Sequence, residues 1–270
     1  MKNILNRAFY PLLVIIISFN CSAQTYSSND FVKIPVPVAE GAEWLRYNQS
    51  MLSPFAVSTV KGELKINKWE YTPTNIYRLP EGTLLAIDMG EFGGGLYYKP
   101  DDSTKTRFYV NGKLTDVNAK LAYFRLTMKD KNIGKGKYLE VCGGHVAKFF
   151  TYRDSLYYID GLDHMGFDHG SLCRVEFKGD SFNVVKLFSF DDSPHAVCVY
   201  KDKILIATFK EFYVIENWHK ELIFDKLFWY GFNPESITVD DNENVYVGMF
   251  GFYAKIDLIK RTLDLYSYAK

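Results

Sequence analysis

The 270-residue chain balances 32 Lys and Arg against 32 Asp and Glu, so it has no basic footprint for nucleic acid or an anionic membrane. Tyr, Phe and Trp make up 17% of it, and good helix signatures are nearly absent, which points away from a helical domain and toward half-buried pleated strands.

The N-terminus carries the three parts of a secretory signal peptide. Lys2 and Arg7 are its only charges, an apolar run extends from Ala8 to Phe19, and Cys21-Ser22-Ala23 supplies small residues before Gln24. The run is shorter than the roughly 20 apolar residues that a membrane-spanning helix requires. Cleavage after Ala23 is expected, so 1–23 is read as a removable leader. Cys21 offers an alternative as a lipidated N-terminal cysteine, although Ser18 and Asn20 fit the usual surroundings of such a site poorly. Both outcomes place the protein outside the cytoplasm, periplasmic or secreted, with a lipid tether only in the second case. No later stretch is long enough to cross a bilayer.

Residues 24–52 read as a lead segment containing one short helix over Val38–Tyr47, and 53–270 as a single β domain. Asp116 to Met128 is ambiguous. Leu84–Met89 and Leu96–Lys99 read as paired strands. Gly93-Gly94-Gly95 between them lacks the lysine and following helix of a phosphate loop and reads as a tight turn in which glycines supply positive φ. Leu156–Ile159, Ile204–Ile206 and Val245–Val247 are further strands. Asn111-Gly112, Lys201-Asp202-Lys203 and Asp240-Asp241-Asn242 are the turns that punctuate the pattern. After the leader three cysteines remain: Cys142, Cys173 and Cys198. An oxidising compartment would permit one disulfide among them, but each lies in an apolar run that suits a buried, unpaired thiol.

The C-terminal third repeats itself. Pro194 matches Pro234, Val197 matches Ile237 and Val199 matches Val239, each 40 residues apart. One extra turn residue then brings Ile204 to Val245 and Ile206 to Val247, with Phe209 matching Phe250 and Ile215 matching Ile256. Tyr152-Arg153-Asp154-Ser155-Leu156 is an earlier copy, and the residues it gains over the later ones fall around Gly161–Gly170, expected to be a loop. Ser53-Pro54-Phe55-Ala56-Val57 is a weaker echo. Periods of about 40 to 50 residues with four short strands each are the signature of propeller blades, because one blade cannot bury both its faces alone. The expected fold is therefore all-β, a single propeller of about five or six four-stranded blades, with the strand near Thr262–Tyr268 completing a blade begun by the N-terminal region.

The stretch Asn233-Pro234-Glu235-Ser236-Ile237-Thr238-Val239-Asp240-Asp241-Asn242-Glu243-Asn244-Val245-Tyr246-Val247-Gly248 resembles the blade signature of NHL-type and gluconolactonase/strictosidine-synthase-like propellers. That resemblance speaks to fold far more than to activity. It implies a divalent metal on the axis of a lactonase-like member, held by an early glutamate and by later Asn and Asp residues. Here Glu40-Gly41-Ala42-Glu43-Trp44 departs from the expected Glu-Gly-Pro-x-Trp, and Glu235 stands where the pattern usually has glycine, so a solvated helix face is the simpler reading of Glu40–Trp44.

Two polar groups stand out as candidate sites. Asp163, His164, Asp168 and His169 form two Asp-His pairs five residues apart, a donor set able to hold zinc or a similar metal, or to pair a general base with its orienting carboxylate. The plainer reading is a solvated turn region. His195 and Glu235 occupy the same repeat position after the matched prolines, and His145 precedes the strand-like Val146–Thr151 in a similar register. Loops leading into innermost strands lie at the mouth of a propeller's channel, so His145, His195 and Glu235 are expected to converge there as a ligand site. Their simpler fate is to pair with one another or with water.

These readings make the chain an exported propeller that binds a small ligand or a partner protein, with no nucleic-acid partner. The alternatives are a metal-dependent, lactonase-like hydrolase working at the channel mouth and an immunity or inhibitor protein.

Overall fold

The computed structural model describes residues 25–50, 52–70, 74–88, 93–118, 136–164 and 167–269. The leader with Cys21, and most of the ambiguous Asp116–Met128 stretch, lie outside the described residues.

The chain begins with β1 (Thr25–Tyr26), a single 3-10 turn, β2 (Phe31–Ile34) and the helix α1 (Ala42–Asn48). The helix starts four residues later than the sequence pattern suggests, because Glu40 takes a left-handed φ of 62° and Gly41 becomes the N-cap. Next come β3 (Phe55–Val60), β4 (Glu63–Lys68), β5 (Thr74–Leu79), β6 (Gly82–Asp88), β7 (Gly94–Pro100), β8 (Arg107–Val110), β9 (Lys113–Asp116) and β10 (Leu139–Gly143). The second half contains β11 (Val146–Tyr152), β12 (Ser155–His164), β13 (Phe167–Lys178), β14 (Ser181–Phe190), β15 (Pro194–Tyr200) and β16 (Lys203–Thr208). It ends with β17 (Phe212–Glu216), β18 (His219–Phe224), β19 (Ser236–Val239), β20 (Val245–Met249), β21 (Phe252–Asp257) and β22 (Thr262–Tyr268).

Among the described residues these strands form five sheets, each one blade of a β-propeller. Blade 1 is β3-β4-β1, blade 2 is β5-β6-β7-β10, blade 4 is β15-β16-β17-β18 and blade 5 is β19-β20-β21-β22-β2. Blade 3 is the largest: β11-β12-β13-β14, extended by the β8-β9 hairpin, which joins through parallel pairing of β14 with β8. The inner strands follow one another around an axis, β5 touching β11, β11 touching β15, β15 touching β19 and β19 touching β3.

Separate apolar layers fill the spaces between neighbouring blades. Leu84, Leu96, Tyr98, Tyr158 and Phe182 lie between blades 2 and 3, and Tyr157, Ile159, Ile206 and Tyr213 between blades 3 and 4. Leu205, Phe212, Val247 and Phe252 lie between blades 4 and 5, with Trp44 of α1 inserted beside them. Burying one such side chain contributes about 1.5–3 kcal/mol, so the interfaces supply much of the driving force for the radial stack. The lead segment is woven into this architecture. Phe31 to Ile34 pair with Tyr268 to Leu265 on the outer edge of blade 5, joining the two ends of the propeller. Phe31 and Phe55 meet edge-to-face at 5.0 Å where blades 5 and 1 pack.

The repeat seen in the sequence is a register match. Val197 pairs with Ile206 and Val199 with Ile204 in blade 4, as Ile237 pairs with Val247 and Val239 with Val245 in blade 5. Two local expectations change. The residues gained around Gly161–Gly170 extend a β-hairpin: β12 and β13 stay paired to His164 and Phe167. Its glycines permit close approach, since a Cβ on Gly170 would lie 2.1 Å from Pro194 Cδ of the next blade. Likewise Gly94 and Gly95 belong to β7, paired with Asp88 and Ile87, and a Cβ on Gly94 would lie 2.2 Å from the Ile87 carbonyl oxygen.

Candidate ligand site on the propeller axis

The segments leading into the inner strands and the turns between second and third strands lie on one face, where backbone hydrogen bonds tie them together. Gly161 donates to the His145 carbonyl at 3.1 Å, Phe209 to Ser193 at 2.9 Å, and Glu235 to Gly248 at 2.8 Å. This upper face also carries Lys210, whose Nζ binds Asp168 Oδ2 at 2.7 Å and lies over the Tyr230 ring.

At the centre of that face, ionisable side chains from four blades come together. His145 Nδ1, from the segment before β11, is 3.5 Å from Asp88 Oδ1 at the end of β6. Asp88 also acts electrostatically on His195 and on Glu235, which lie on blade 4 and before β19 of blade 5. Lys148 of β11 completes the group: its Nζ makes a long hydrogen bond of 3.5 Å to the Glu235 carbonyl oxygen. Blade 4 separates blades 3 and 5, so this contact spans the central channel. Asn75 of β5 anchors the wall, its Nδ2 donating to the Ala147 carbonyl at 2.6 Å.

The channel is a low-dielectric setting for these groups. Burial pulls His195 down to about 4, with Asp88 opposing, so its imidazole is neutral near pH 7. Burial raises Glu235 to about 7, opposed by Lys148 and reinforced by Asp88, which leaves it part-protonated at neutral pH. Burial also lowers Lys148, with Glu235 opposing. His195 is half-buried as a residue, while its imidazole is closely surrounded by protein. Its Nε2 is closed off from solvent and has no hydrogen-bond partner among the described residues. The ring packs 5.1 Å from Phe209, which fixes its plane.

His145, His195 and Glu235 therefore share Asp88 as an electrostatic neighbour. The sequence did not single out Asp88 or Lys148. Lys148 had a visible signal, a lone charge within Val146-Ala147-Lys148-Phe149-Phe150; Asp88 ends an apolar strand just before a glycine cluster.

The other candidate group sits at the end of the β12–β13 hairpin, where Asp163 pairs with Asp168 and Leu162 with His169. Asp168 pairs with Lys210, and His169 is exposed. Asp163 and His164 end β12, and their side chains lie outside the described residues. Among the described residues, no three His, Cys, Asp or Glu side chains are arranged to hold a metal ion. The metal implied by the lactonase-like resemblance does not fit the axis either, since the Lys148 ammonium projects into it and Glu40 is exposed beside α1. Trp44 of the same motif is structural, its buried Nε1 donating to the Phe228 carbonyl at 2.6 Å. Cys142, Cys173 and Cys198 are free thiols; Cys142 lies 3.3 Å from the Tyr158 hydroxyl, and burial pushes Cys173 up to about 12.

The sequence matches no protein-family model and no curated protein. Solved structures similar to it include the calcium-binding protein regucalcin from Agrobacterium tumefaciens, at 12% identity and a TM-score of 0.39, covering 78% of this chain and 72% of that one. The soluble aldose sugar dehydrogenase of Escherichia coli is similar at 10% identity and a TM-score of 0.36, covering 80% of this chain and 96% of the other. Streptogramin B lyase is similar at 11% identity and a TM-score of 0.30, covering 81% and 95%.

Proposed function

We propose that this propeller acts outside the cytoplasm as a binding protein that takes a small polar ligand into its axial channel. The leader-like N-terminus supports the location. One observation carries the binding role: Asp88, His145, Lys148, His195 and Glu235, from four different blades, surround the axis, and His195 Nε2 is left without a partner among the described residues. An enclosed polar atom costs about 1–3 kcal/mol when unsatisfied, so an arrangement that leaves one in a channel favours something that fills it. Convergent polar groups on a rigid scaffold, placed by strands, are how binding sites fix orientation. Among the described residues the metal-dependent hydrolase reading lacks a matching donor set, and nothing they place on the upper face favours the inhibitor reading over a small ligand.

The test is a thermal-shift panel of small polyols, carboxylates, amines and amino acids against the intact chain and a His195→Ala/Glu235→Gln variant. Stabilisation by a panel member in the parent and its loss in the variant is expected. A ligand that stabilises both equally would place binding elsewhere, and no stabilisation by any member would remove the small-ligand role.

A further inference from the structure

We propose that the groove between blades 2 and 3, on the face opposite the axial cluster, is a second binding site, built for a free aromatic amino acid whose ring enters the seam between the blades. That lower face carries the turns joining first to second and third to fourth strands.

The seam between blades 3 and 4 shows what such a space holds when it is filled. The turn from β17 to β18 is Asn217-Trp218, with φ of 48° and 60°. A bulky residue in the left-handed region is uncommon. The Trp218 indole lies across the seam on the preceding blade, edge-on to Tyr152 at 5.7 Å and tilted against Tyr157 at 5.7 Å.

The corresponding place between blades 2 and 3 has no such side chain. There the turn from β13 to β14 is Gly179-Asp180. Gly179 has the same φ of 60° as Trp218, and a Cβ on it would meet nothing within 4 Å. Asp180 is held by Lys105 at 3.1 Å, and neither of the two lines the groove. What remains is an open volume of about 650 Å³, walled by Tyr77, Leu79, Leu156, Val175 and Phe177. Small-molecule sites occupy roughly 300–1,000 Å³ and have similarly apolar, aromatic walls. Tyr77 and Phe177 offer ring faces and edges to an aromatic guest. The groove between blades 4 and 5 is smaller, about 420 Å³, and Tyr200 is the one aromatic residue lining it among the described residues.

The rim specifies the rest of the ligand. Glu81 is matched by Lys105, and Arg174 by Glu176. Asp154 and Lys178 also line the groove, are exposed, and make no ion pair among the described residues. One free carboxylate and one free ammonium on the same rim complement the ammonium and carboxylate of a zwitterion.

Calorimetric titration of the intact chain with L-tryptophan, L-leucine and indole tests this. The proteins are the parent, Gly179→Trp, Tyr77→Ala and the axial variant His195→Ala/Glu235→Gln, each checked for folding by circular dichroism. L-tryptophan should bind the parent about 10-fold more tightly than L-leucine and about threefold more tightly than indole. Gly179→Trp supplies an indole of the protein's own, so binding should fall by about 10-fold; Tyr77→Ala, which keeps the groove open but removes one ring, should lower it by about threefold. The axial variant should bind L-tryptophan as the parent does. Unchanged affinity in both groove variants would overturn the proposal, as would L-leucine binding as tightly as L-tryptophan. If Gly179→Trp does not fold, Tyr77→Ala alone decides that point. Indole binding as tightly as L-tryptophan would overturn the amino acid while leaving an aromatic site in the groove. Binding lost only in the axial variant would place the ligand on the axis and overturn the groove, and a parent that binds none of the three overturns the groove while leaving the axial reading to its own panel.

Discussion

Lys148 Nζ lies 3.5 Å from the carbonyl oxygen of Glu235, although a whole blade separates the strands that carry the two residues. Contact across the axis places a carboxylic acid and an amine in the same enclosed space, and the pH dependence of folding should report it.

Glu235 keeps its proton in the folded chain up to about pH 7, whereas the unfolded chain releases it near the ordinary value of 4.5. The unfolded state therefore binds fewer protons across that window, and this residue's contribution to stability falls as pH rises through it. Glu235→Gln removes the loss. Allowing for partial solvent screening in the channel, the variant should gain about 1–3 kcal/mol over the parent at pH 7.5 relative to pH 4.5, measured by urea unfolding at both values.

His195 has the opposite sign. Burial holds its folded-state value at about 4, below the ordinary 6.5, so the unfolded chain binds the extra proton first as pH falls. Its contribution is fully present above pH 6.5 and is lost toward pH 4. His195→Gln should flatten that part of the curve by about 2–3 kcal/mol, read as the difference between the two unfolding curves at pH 6.5 and pH 4. A variant whose acid limb matches the parent's would mean that His195 is hydrated in the folded protein.

The packing of blade 3 on blade 4 predicts a contrast between two glycines. In Gly170→Ala the new Cβ meets Pro194 Cδ at 2.1 Å, and the two blades must separate to admit it. The expected loss is about 2–3 kcal/mol. At Gly179, φ is +60° but nothing lies within 4 Å, so Gly179→Ala should lose only about 1 kcal/mol, from backbone strain. Paired thermal unfolding of the two variants checks the ordering.

Asp240 shows how a sequence signature becomes structure. Its carboxylate accepts the backbone N–H groups of Asn242 and Asn244, the Asn244 side-chain amide at 2.7 Å and the Tyr246 hydroxyl at 3.0 Å. One side chain thus closes the turn and ties it to β20. Asp240→Ala leaves several of these donors unpaired at once and should destabilise by about 2–4 kcal/mol, seen as a lower urea midpoint.

The blade pattern was legible because a hairpin is local: the Pro194/Pro234 match and the alternation in Val197–Val199 and Ile237–Val239 record strand, turn and strand within a few residues. The pairing of β2 with β22 could also be anticipated, since a propeller's two ends must meet. Annexation of β8 and β9 by blade 3 could not. It rests on a short parallel pairing, Ser181 with Tyr109 and Phe182 with Val110, between segments far apart in sequence. The same limit applied on the axis. Repeat register led to His195 and Glu235 as equivalent positions, but the approach of Lys148 and Asp88 to them depends on the ring, which no local spacing encodes.

The most direct test of the axial site is a crystal structure grown with the panel compound that stabilises the protein most. Ordered ligand within hydrogen-bond distance of His195 Nε2, between Lys148 and Glu235, is the predicted result. The contradicting result is ligand seated instead in a peripheral groove, such as the one lined by Tyr200, Asn244 and Asp257 between blades 4 and 5, with water alone on the axis.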